Sequence, residues 1–484
     1  MNKSLIISTI GGMLILLAVA MLAPLAVAAY YGDGKEINAF MYAVSITIVM
    51  GGVMKFLFRP ATKEVTMREG FVTVVFGWVI CVAFIALPYL FSGSIVNISD
   101  AYFEAMSGLT TTGATVIADI ESLPRGIVFW RSMTQWLGGL GIVVFFIAFL
   151  PTTGLGTHHL FKMEIPGGPL ADKLRPRVAE TAKLLFVIYI VLSLLEFLLL
   201  YLGDMPKYDA ICHTFSNVST GGFSPKSASI GAYHSAYIES VVIAFMFLGA
   251  CNFIIYYQLA RGHVRKVLKN VELRFFVIVL LSAITLLTAY LYMSGPLADN
   301  SVKGALRVSV FQAVSITTGT GFTTENFDAW PNFCRFLLLV MMFFGGCAGS
   351  TSGAMKHIRI LLLLKATTRE LVRLTTPRVI KHVKMYETSV EEGVIINTFG
   401  FFVLYMGLFG AFSLVMMGMG SDIVTAISAV AATMGNVGPG LGQVGAAMNY
   451  GGLDFMEKWV LVFCMLLGRL EIYSVVLMFM LWRR

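Results

Sequence analysis

Four short glycine-bearing stretches recur along the chain: Thr110-Thr111-Thr112-Gly113-Ala114, Ser219-Thr220-Gly221-Gly222-Phe223, Thr318-Gly319-Thr320-Gly321-Phe322 and Thr433-Met434-Gly435-Asn436-Val437. Each follows a short, mildly amphipathic segment and lies between two long apolar runs. That order predicts a half-helix entering a membrane and an extended segment returning. Extended backbone lacks hydrogen bonds of its own, and at membrane depth it is tolerated only where it lines protein or a wet cavity. Its free carbonyls can there replace a cation's hydration shell, and glycine permits the dihedrals that aim successive carbonyls at one axis. Four such loops, roughly a hundred residues apart, can close a ring.

The chain of 484 residues is 57% hydrophobic and 13% charged, a balance that excludes a soluble domain. Apolar runs of about 20 residues, the length a helix needs to cross a bilayer, recur throughout. Continuous apolarity over 184–202 and 275–292 argues for helices over the alternating strands of a barrel. The six cysteines (Cys81, Cys212, Cys251, Cys334, Cys347, Cys464) stand singly and read as small buried hydrophobes. No HExxH or Ser/His constellation falls in the apolar runs, so no enzyme chemistry is expected. His158-His159 reads as solvated. The net charge of +8 comes from basic clusters placed between apolar runs. They mark topology and give no reason to expect a nucleic-acid partner.

The spans expected are 5–30, 38–54, 71–91, 126–150, 184–202, 240–259, 275–292, 336–364, 393–417 and 459–481. Ala26-Val27-Ala28 resembles a signal-peptidase site, but the apolar run is about 24 residues, longer than the usual signal core of roughly 7–15, so a retained span is favoured. Half-helices are expected over 100–109, 209–218, 304–316 and 422–432. Basic clusters then fall on one side: Lys55, Arg59, Lys63 and Arg68; Lys162, Lys173, Arg175, Arg177 and Lys183; Arg261, Arg265, Lys266, Lys269 and Arg274; Lys365 to Lys384; Arg483-Arg484. That side is the cytoplasm, and both termini lie on it. The opposite loops carry Asp119, Glu121, Asp299, Glu325 and Asp328, a mouth that attracts cations. Proline at 151, 166, 169 and 176 predicts an irregular connection.

The fold expected is therefore an all-α membrane protein with ten transmembrane helices and four re-entrant pore helices. Four helix–pore-loop–helix repeats surround one pseudo-fourfold pore: a helix pair over 1–68, then repeats over 69–160, 161–270, 271–385 and 386–484. Asp100, Asp209 and Asp422 precede Gly113, Gly222 and Gly435 by one interval, while Val308 stands at that place before Gly321. Ser107, Ser216 and Ser315 lie six positions before the first three glycines. The fourth stretch offers two registers. Gly435 is preferred for its Asp interval and its resemblance to Thr111-Thr112-Gly113; Gly438 is the other. The candidate cation ligands are Thr111, Thr112, Gly113, Thr220, Gly221, Gly222, Thr318, Gly319, Thr320, Gly321, Gly435 and Asn436. None of the loops holds a carboxylate, which favours a monovalent cation, and potassium sheds water more readily than sodium because it is larger.

These residues carry a resemblance. The stretch 108–115, Gly221-Gly222-Phe223-Ser224, Gly321-Phe322-Thr323-Thr324, the run from Gly345 to Gly353, and Gly468-Arg469-Leu470-Glu471 resemble the TrkH/KtrB superfamily of potassium transporters, over essentially the whole chain. The resemblance implies potassium as substrate, bound by the loop residues, and a homodimer in the bacterial inner membrane among its lipids. It also implies a cytosolic ring-forming regulator resembling TrkA, which carries the nucleotide (ATP/ADP or NAD); no cofactor is implied in this chain. A sodium- or proton-coupled secondary transporter is the alternative, and it would use broken helices and buried carboxylates such as Glu196 and Glu471.

Two features interrupt the spans. Gly345, Gly346, Gly349, Ser350 and Gly353 break the apolar run 336–364. They read as small residues for close helix packing or, as the resemblance implies, as an unwound gating loop below the filter. Arg469 is centred in an apolar run, where insertion costs at least about 2.5–3.5 kcal/mol. It is expected to face the pore, as part of the gate, or to pair with Glu471.

Overall fold

This computed structural model describes residues 2–58, 60, 66–139, 141, 178–295, 301–376, 382–385 and 388–482. The chain is built almost wholly of helices. Among the described residues, six helices are long and apolar enough to cross a membrane: Lys3–Tyr31, Gly34–Leu57, Arg68–Ser92, Ala182–Leu202, Val271–Ser294 and Glu392–Gly418. Two further apolar helix pairs are sharply bent, Ala236–Ala250 with Phe253–Ala260 at 97° and Phe455–Arg469 with Glu471–Met478 at 112°.

The first two helices form a hairpin. Asp33 caps Gly34–Leu57 by accepting from the N–H groups of Lys35 and Glu36. Gly11 and Gly51 face each other, and a methyl on either would meet the other's carbonyl oxygen within 3.0 Å. Such small-residue contacts let helix backbones approach where lipid supplies no hydrophobic drive.

Four units follow. Each has a long first helix, a short inner helix and a second helix. The inner helices are Ile98–Leu109, Lys207–Val218, Val302–Thr318 and Ile423–Met434, and each packs against its own first helix. Their starts are locally encoded: Asn97, Ser301 and Asp422 accept N–H bonds from the first turn, satisfying donors that have no partner within the helix.

The second helices of the second and fourth units depart from the unbroken spans expected, and the third is interrupted where Gly345 to Gly353 broke the apolar run. Arg125–Gly139 reaches the end of its described stretch, and the remainder of 126–150 lies almost entirely outside the described residues. The second unit breaks at Cys251-Asn252 and the fourth at Leu470. The third ends at Met341 and resumes as His357–Thr375. Close packing marks the breaks of the second and fourth units and the described end of Arg125–Gly139. A methyl on Gly138, Gly249 or Gly468 would lie 3.0 Å or less from the carbonyl oxygen of Leu109, Val218 or Met434, the last residue of the neighbouring inner helix. The tip of each inner helix thus sits on a glycine one residue before Gly139, Ala250 or Arg469. A short antiparallel strand pair, Lys384–Met385 with Thr388–Ser389, lies in the last connection. The irregular connection expected around 151–176 and His158-His159 lie outside the described residues.

Candidate functional site

The segments that follow the four inner helices meet head to tail. A methyl on Gly113 would overlap the carbonyl oxygen of Gly221; on Gly222, that of Thr320; on Gly321, that of Val437; on Gly438, that of Thr112. Each approach is closer than 3.0 Å, and the last returns to the first loop, so the ring closes in chain order. These glycines have φ of 81°, 78°, 79° and 98°. Two residues earlier, Thr111 (53°), Thr220 (53°), Gly319 (72°) and Asn436 (51°) are also left-handed. For Thr111, Thr220 and Asn436 that conformation costs roughly 1–2 kcal/mol each. Between the two left-handed positions a residue turns its N–H back to the helix: Thr112 to Ser107 O (2.9 Å), Gly221 to Ser216 O (2.7 Å), Thr320 to Ser315 O (2.9 Å), Val437 to Ala432 O (2.8 Å). Carbonyls of consecutive loops therefore abut around one axis.

This geometry corrects the register of the fourth loop. Gly435, expected as its ring glycine, has φ −79° and is the helix cap. It takes the place of Thr110, Ser219 and Thr318, and Gly438 is the ring glycine. The shared Asp interval misled because the aspartates differ in role. Asp422 is an N-cap, whereas Asp100 and Asp209 lie within the first turn of their helices. Asp100 pairs with Lys458 at 2.7 Å, and Asp209 accepts from Tyr233 Oη at 2.7 Å. Ala432 lies six residues before Gly438 and occupies the acceptor position of Ser107, Ser216 and Ser315, but Ala429 stands at that interval before Gly435, so the serine pattern does not separate the two registers. The other ring residues expected, Thr111, Thr112, Gly113, Thr220, Gly221, Gly222, Thr318, Gly319, Thr320, Gly321 and Asn436, all come together, and all four ring glycines line one outer cavity with Ser224, Thr323 and Tyr450.

Side chains from the loops, an inner helix and the helix Arg125–Gly139 hold the ring. Gln135 Nε2 donates to Gly221 O (2.6 Å), and its Oε1 accepts from Phe223 N–H (2.9 Å). Tyr450 Oη donates to Gly438 O at 2.7 Å. Asn436 Nδ2 donates to Thr112 Oγ1 (2.9 Å) and Met465 O (3.1 Å). Glu104 and Arg131, fully buried, pair at 2.8 Å. Glu104 also accepts from Thr115 Oγ1 and Val116 N–H, and the guanidinium lies 4.2 Å from the centre of the Phe223 ring. Glu104, Arg131, Gln135 and Tyr450 were not singled out from sequence. Charges at 104 and 131, inside a half-helix and a span, were a usable signal; Gln135 and Tyr450 carried none. Beside the cavity that the ring glycines and Ser227 line, Glu121 accepts from Ser227 N–H at 3.1 Å and from its hydroxyl. Burial alone would raise its carboxyl pKa, but the two Ser227 donors outweigh that and hold it below its ordinary value.

On the opposite side of the ring lie the broken third-unit helix and Arg469. The stretch 345–353 is non-helical but well bonded. Gly345 N–H donates to Met355 O (2.9 Å), Cys347 N–H to Ala250 O (2.8 Å), Ala348 N–H to Glu272 Oε1 (2.7 Å) and Gly346 N–H to Ser352 Oγ (2.8 Å). Ser350 Oγ donates to Cys347 O at 2.6 Å, while Phe253 N–H donates to Gly349 O at 3.1 Å. Thr351 reaches the ring through Thr220, 3.3 Å between hydroxyls. Close packing and unwinding, weighed as alternatives, coincide: methyls on Gly345, Gly346 or Gly353 would meet Gly353 O, Ala250 O or Asn436, and Gly349 has φ 73°.

Arg469 does not pair with Glu471, which binds Arg359 at 2.5 Å. Its Nη1 donates to Thr111 Oγ1 (3.1 Å) and Thr351 O (2.6 Å), and Nη2 to Gly138 O (2.6 Å) and Gly139 O (2.7 Å). One guanidinium thus joins the first loop, the first unit's helix end and the third unit's unwound stretch. It fans across where repeats one and two have only Gly139 and Ala250.

Comparison with known proteins agrees with this architecture. Residues 36–482 match the family model TrkH, described as a cation transport protein. The chain is 41% identical over 489 residues to the Trk system potassium uptake protein TrkH of Halomonas elongata, covering 100% of both. It is 39% identical over 473 residues to that of Escherichia coli K12, covering 97% of both. The crystal structure of the potassium transporter TrkH from Vibrio parahaemolyticus superposes with a TM-score of 0.90 at 38% identity over 100% of both chains. With its apolar helices, glycine ring and full-length match, this multi-pass membrane protein belongs to the TrkH family of cation transport proteins.

Proposed function

We propose that the chain is the pore-forming, channel-like subunit of a potassium uptake system. The observation that carries this reading is the closed ring of Gly113, Gly222, Gly321 and Gly438, each backed on a neighbour's carbonyl. Carbonyls crowded around one axis replace water around a weakly hydrated monovalent ion. The selectivity filter is 111–113, 220–222, 318–321 and 436–438, with potassium as substrate. Below it, 345–353 and Arg469 form the gate: a positive charge on the path repels a cation in a low-dielectric constriction.

The full architecture on this reading has ten spans and four pore helices, divided as expected from sequence, with both termini on the cytoplasmic side of a bacterial inner membrane. The protein works as a homodimer with a cytosolic, nucleotide-binding ring protein as regulator. The relatives' membership of Trk systems supports a partner subunit. Purified protein in liposomes tests the reading. Potassium flux exceeding sodium flux, lost on Gly438→Ala, is expected. Equal fluxes of the two ions, or flux requiring a sodium or proton gradient, would replace it with coupled transport.

A further inference from the structure

The helix pair before the first repeat belongs to none of the four units, yet it touches the helix that carries Arg131 and Gln135. Helix Arg125–Gly139 follows Pro124, which has no side chain able to cap it, and its first N–H groups need acceptors. The acceptor comes from the extra pair. Glu36, 1% exposed, accepts from Ile127 N–H at 2.6 Å through Oε1. A methyl on Gly126 would land within 3.0 Å of that carboxylate, and also against Ala28. A carboxylate at a helix N-terminus also meets the positive end of the helix dipole. Tyr31 adds a second tie. Arg125 Nη1 donates to its hydroxyl at 3.2 Å, and the guanidinium lies 4.6 Å from its ring centre. Further along, Phe40 packs edge-on against Trp130 at 6.4 Å.

From that anchored end the helix presents, in order, Arg131 to Glu104, Gln135 to both sides of the second loop, and the Gly138 and Gly139 carbonyls to Arg469. These contacts share one rigid rod, so a shift of its end moves all of them. We propose that Glu36 is a positioning residue for ion selection, and that the N-terminal helix pair sets the axial position of helix Arg125–Gly139 and so the shape of the filter. The inference rests on the ring being the selective element.

The test measures potassium-over-sodium permeability ratios of full-length protein in liposomes, per inserted protein, for Glu36→Ala, Glu36→Gln, Gly126→Ala and Gly438→Ala. Glu36→Ala is expected to lower the ratio by about three-fold or more, the scale at which residues remote from a site modulate it. Glu36→Gln is expected to recover most of it, because the amide oxygen still accepts from Ile127. Gly126→Ala leaves Glu36 intact but displaces its carboxylate, so it should act like Glu36→Ala and decides the matter if Glu36→Ala fails to assemble. Wild-type ratios in Glu36→Ala and Gly126→Ala, beside a lowered ratio in Gly438→Ala, overturn the inference and leave the filter reading standing. An unchanged ratio in Gly438→Ala overturns the filter reading itself.

Discussion

Asn436 of the last loop donates its side-chain amide to Thr112 of the first at 2.9 Å, across 324 residues of sequence. Beside it Gly438 backs onto the Thr112 carbonyl, so the seam between the fourth and first repeats is closed by both side chain and backbone. The ring is one object made from four distant pieces, and its members can be tested against each other.

Gly438 and Gly435 should behave differently. Alanine at 438 must adopt φ 98° and crowd Thr112, deforming the ring. Alanine at 435 keeps a helical φ but meets Met342 O and Ala431 O, a packing fault. Gly438→Ala, and likewise Gly113→Ser, should lower potassium-over-sodium discrimination in reversal-potential measurements. Gly435→Ala should lower yield and thermal stability while the protein that assembles keeps the wild-type ion order. A loss of selectivity only in Gly435→Ala would restore the other register.

Removing Arg469 should raise basal flux. Arg469→Ala takes a positive charge from below the ring and leaves the carbonyls of Gly138, Gly139 and Thr351 without that donor. Deleting 349–353 should act in the same sense, but the stretch is held by the Thr351 hydroxyl on Val218 O and Gly249 O and by the Phe253 N–H on Gly349 O, each contributing about 0.5–1.5 kcal/mol. Flux into liposomes without any partner protein checks both. If neither variant exceeds wild type while folded, the gate lies elsewhere.

Glu104 and Arg131 should show strong non-additivity. Removing one partner of a buried pair costs about 3–5 kcal/mol because a charge is stranded. Arg131→Met and Glu104→Gln should each lower the denaturation midpoint more than the double variant does, as a thermal-unfolding double-mutant cycle would report.

Gln135→Ala should loosen the second loop. It strands the buried Phe223 N–H, at a cost of about 1–3 kcal/mol, and frees the Gly221 carbonyl. Lower stability together with altered rubidium-to-potassium flux ratio is expected; lower stability with an unchanged ratio would make Gln135 a packing residue only.

The Glu121–Ser227 contact should tolerate mild acid. Glu121 has its carboxyl pKa lowered from 4.5 by Ser227, against the effect of burial. A depressed folded-state pKa contributes stability that is present above the unfolded value and lost as pH falls through the folded one. The thermal-stability difference between wild type and Glu121→Ala should therefore hold from pH 7 to about pH 5 and shrink only below the ordinary carboxylate range. A difference that vanishes near pH 6 would show that the Ser227 contact does not form.

Much of this architecture is local and was legible in residue order. Apolar runs set the helices because backbone polar groups in lipid must be satisfied within the segment. Short helices followed by Thr/Ser/Gly stretches marked the four loops because they are repeats of one unit. Three of the four ring glycines could be read from that pattern. The fourth could not, because Asp422 caps a helix while Asp100 and Asp209 lie inside one, and spacing does not reveal which role a residue plays. Only the closed ring decided it, by putting Gly438 rather than Gly435 against Thr112. The breaks in the second helices of the second and fourth units were equally hidden, whereas Gly345 to Gly353 marked the third. Gly138, Gly249 and Gly468 look like ordinary small residues in an apolar run until the tip of an inner helix rests on each of them. Arg469 announced itself by its cost in the membrane, but it reaches the Thr111 hydroxyl and the backbone carbonyls of Gly138, Gly139 and Thr351 in other repeats. Carbonyls carry no residue identity, so only the tertiary structure brings them to it.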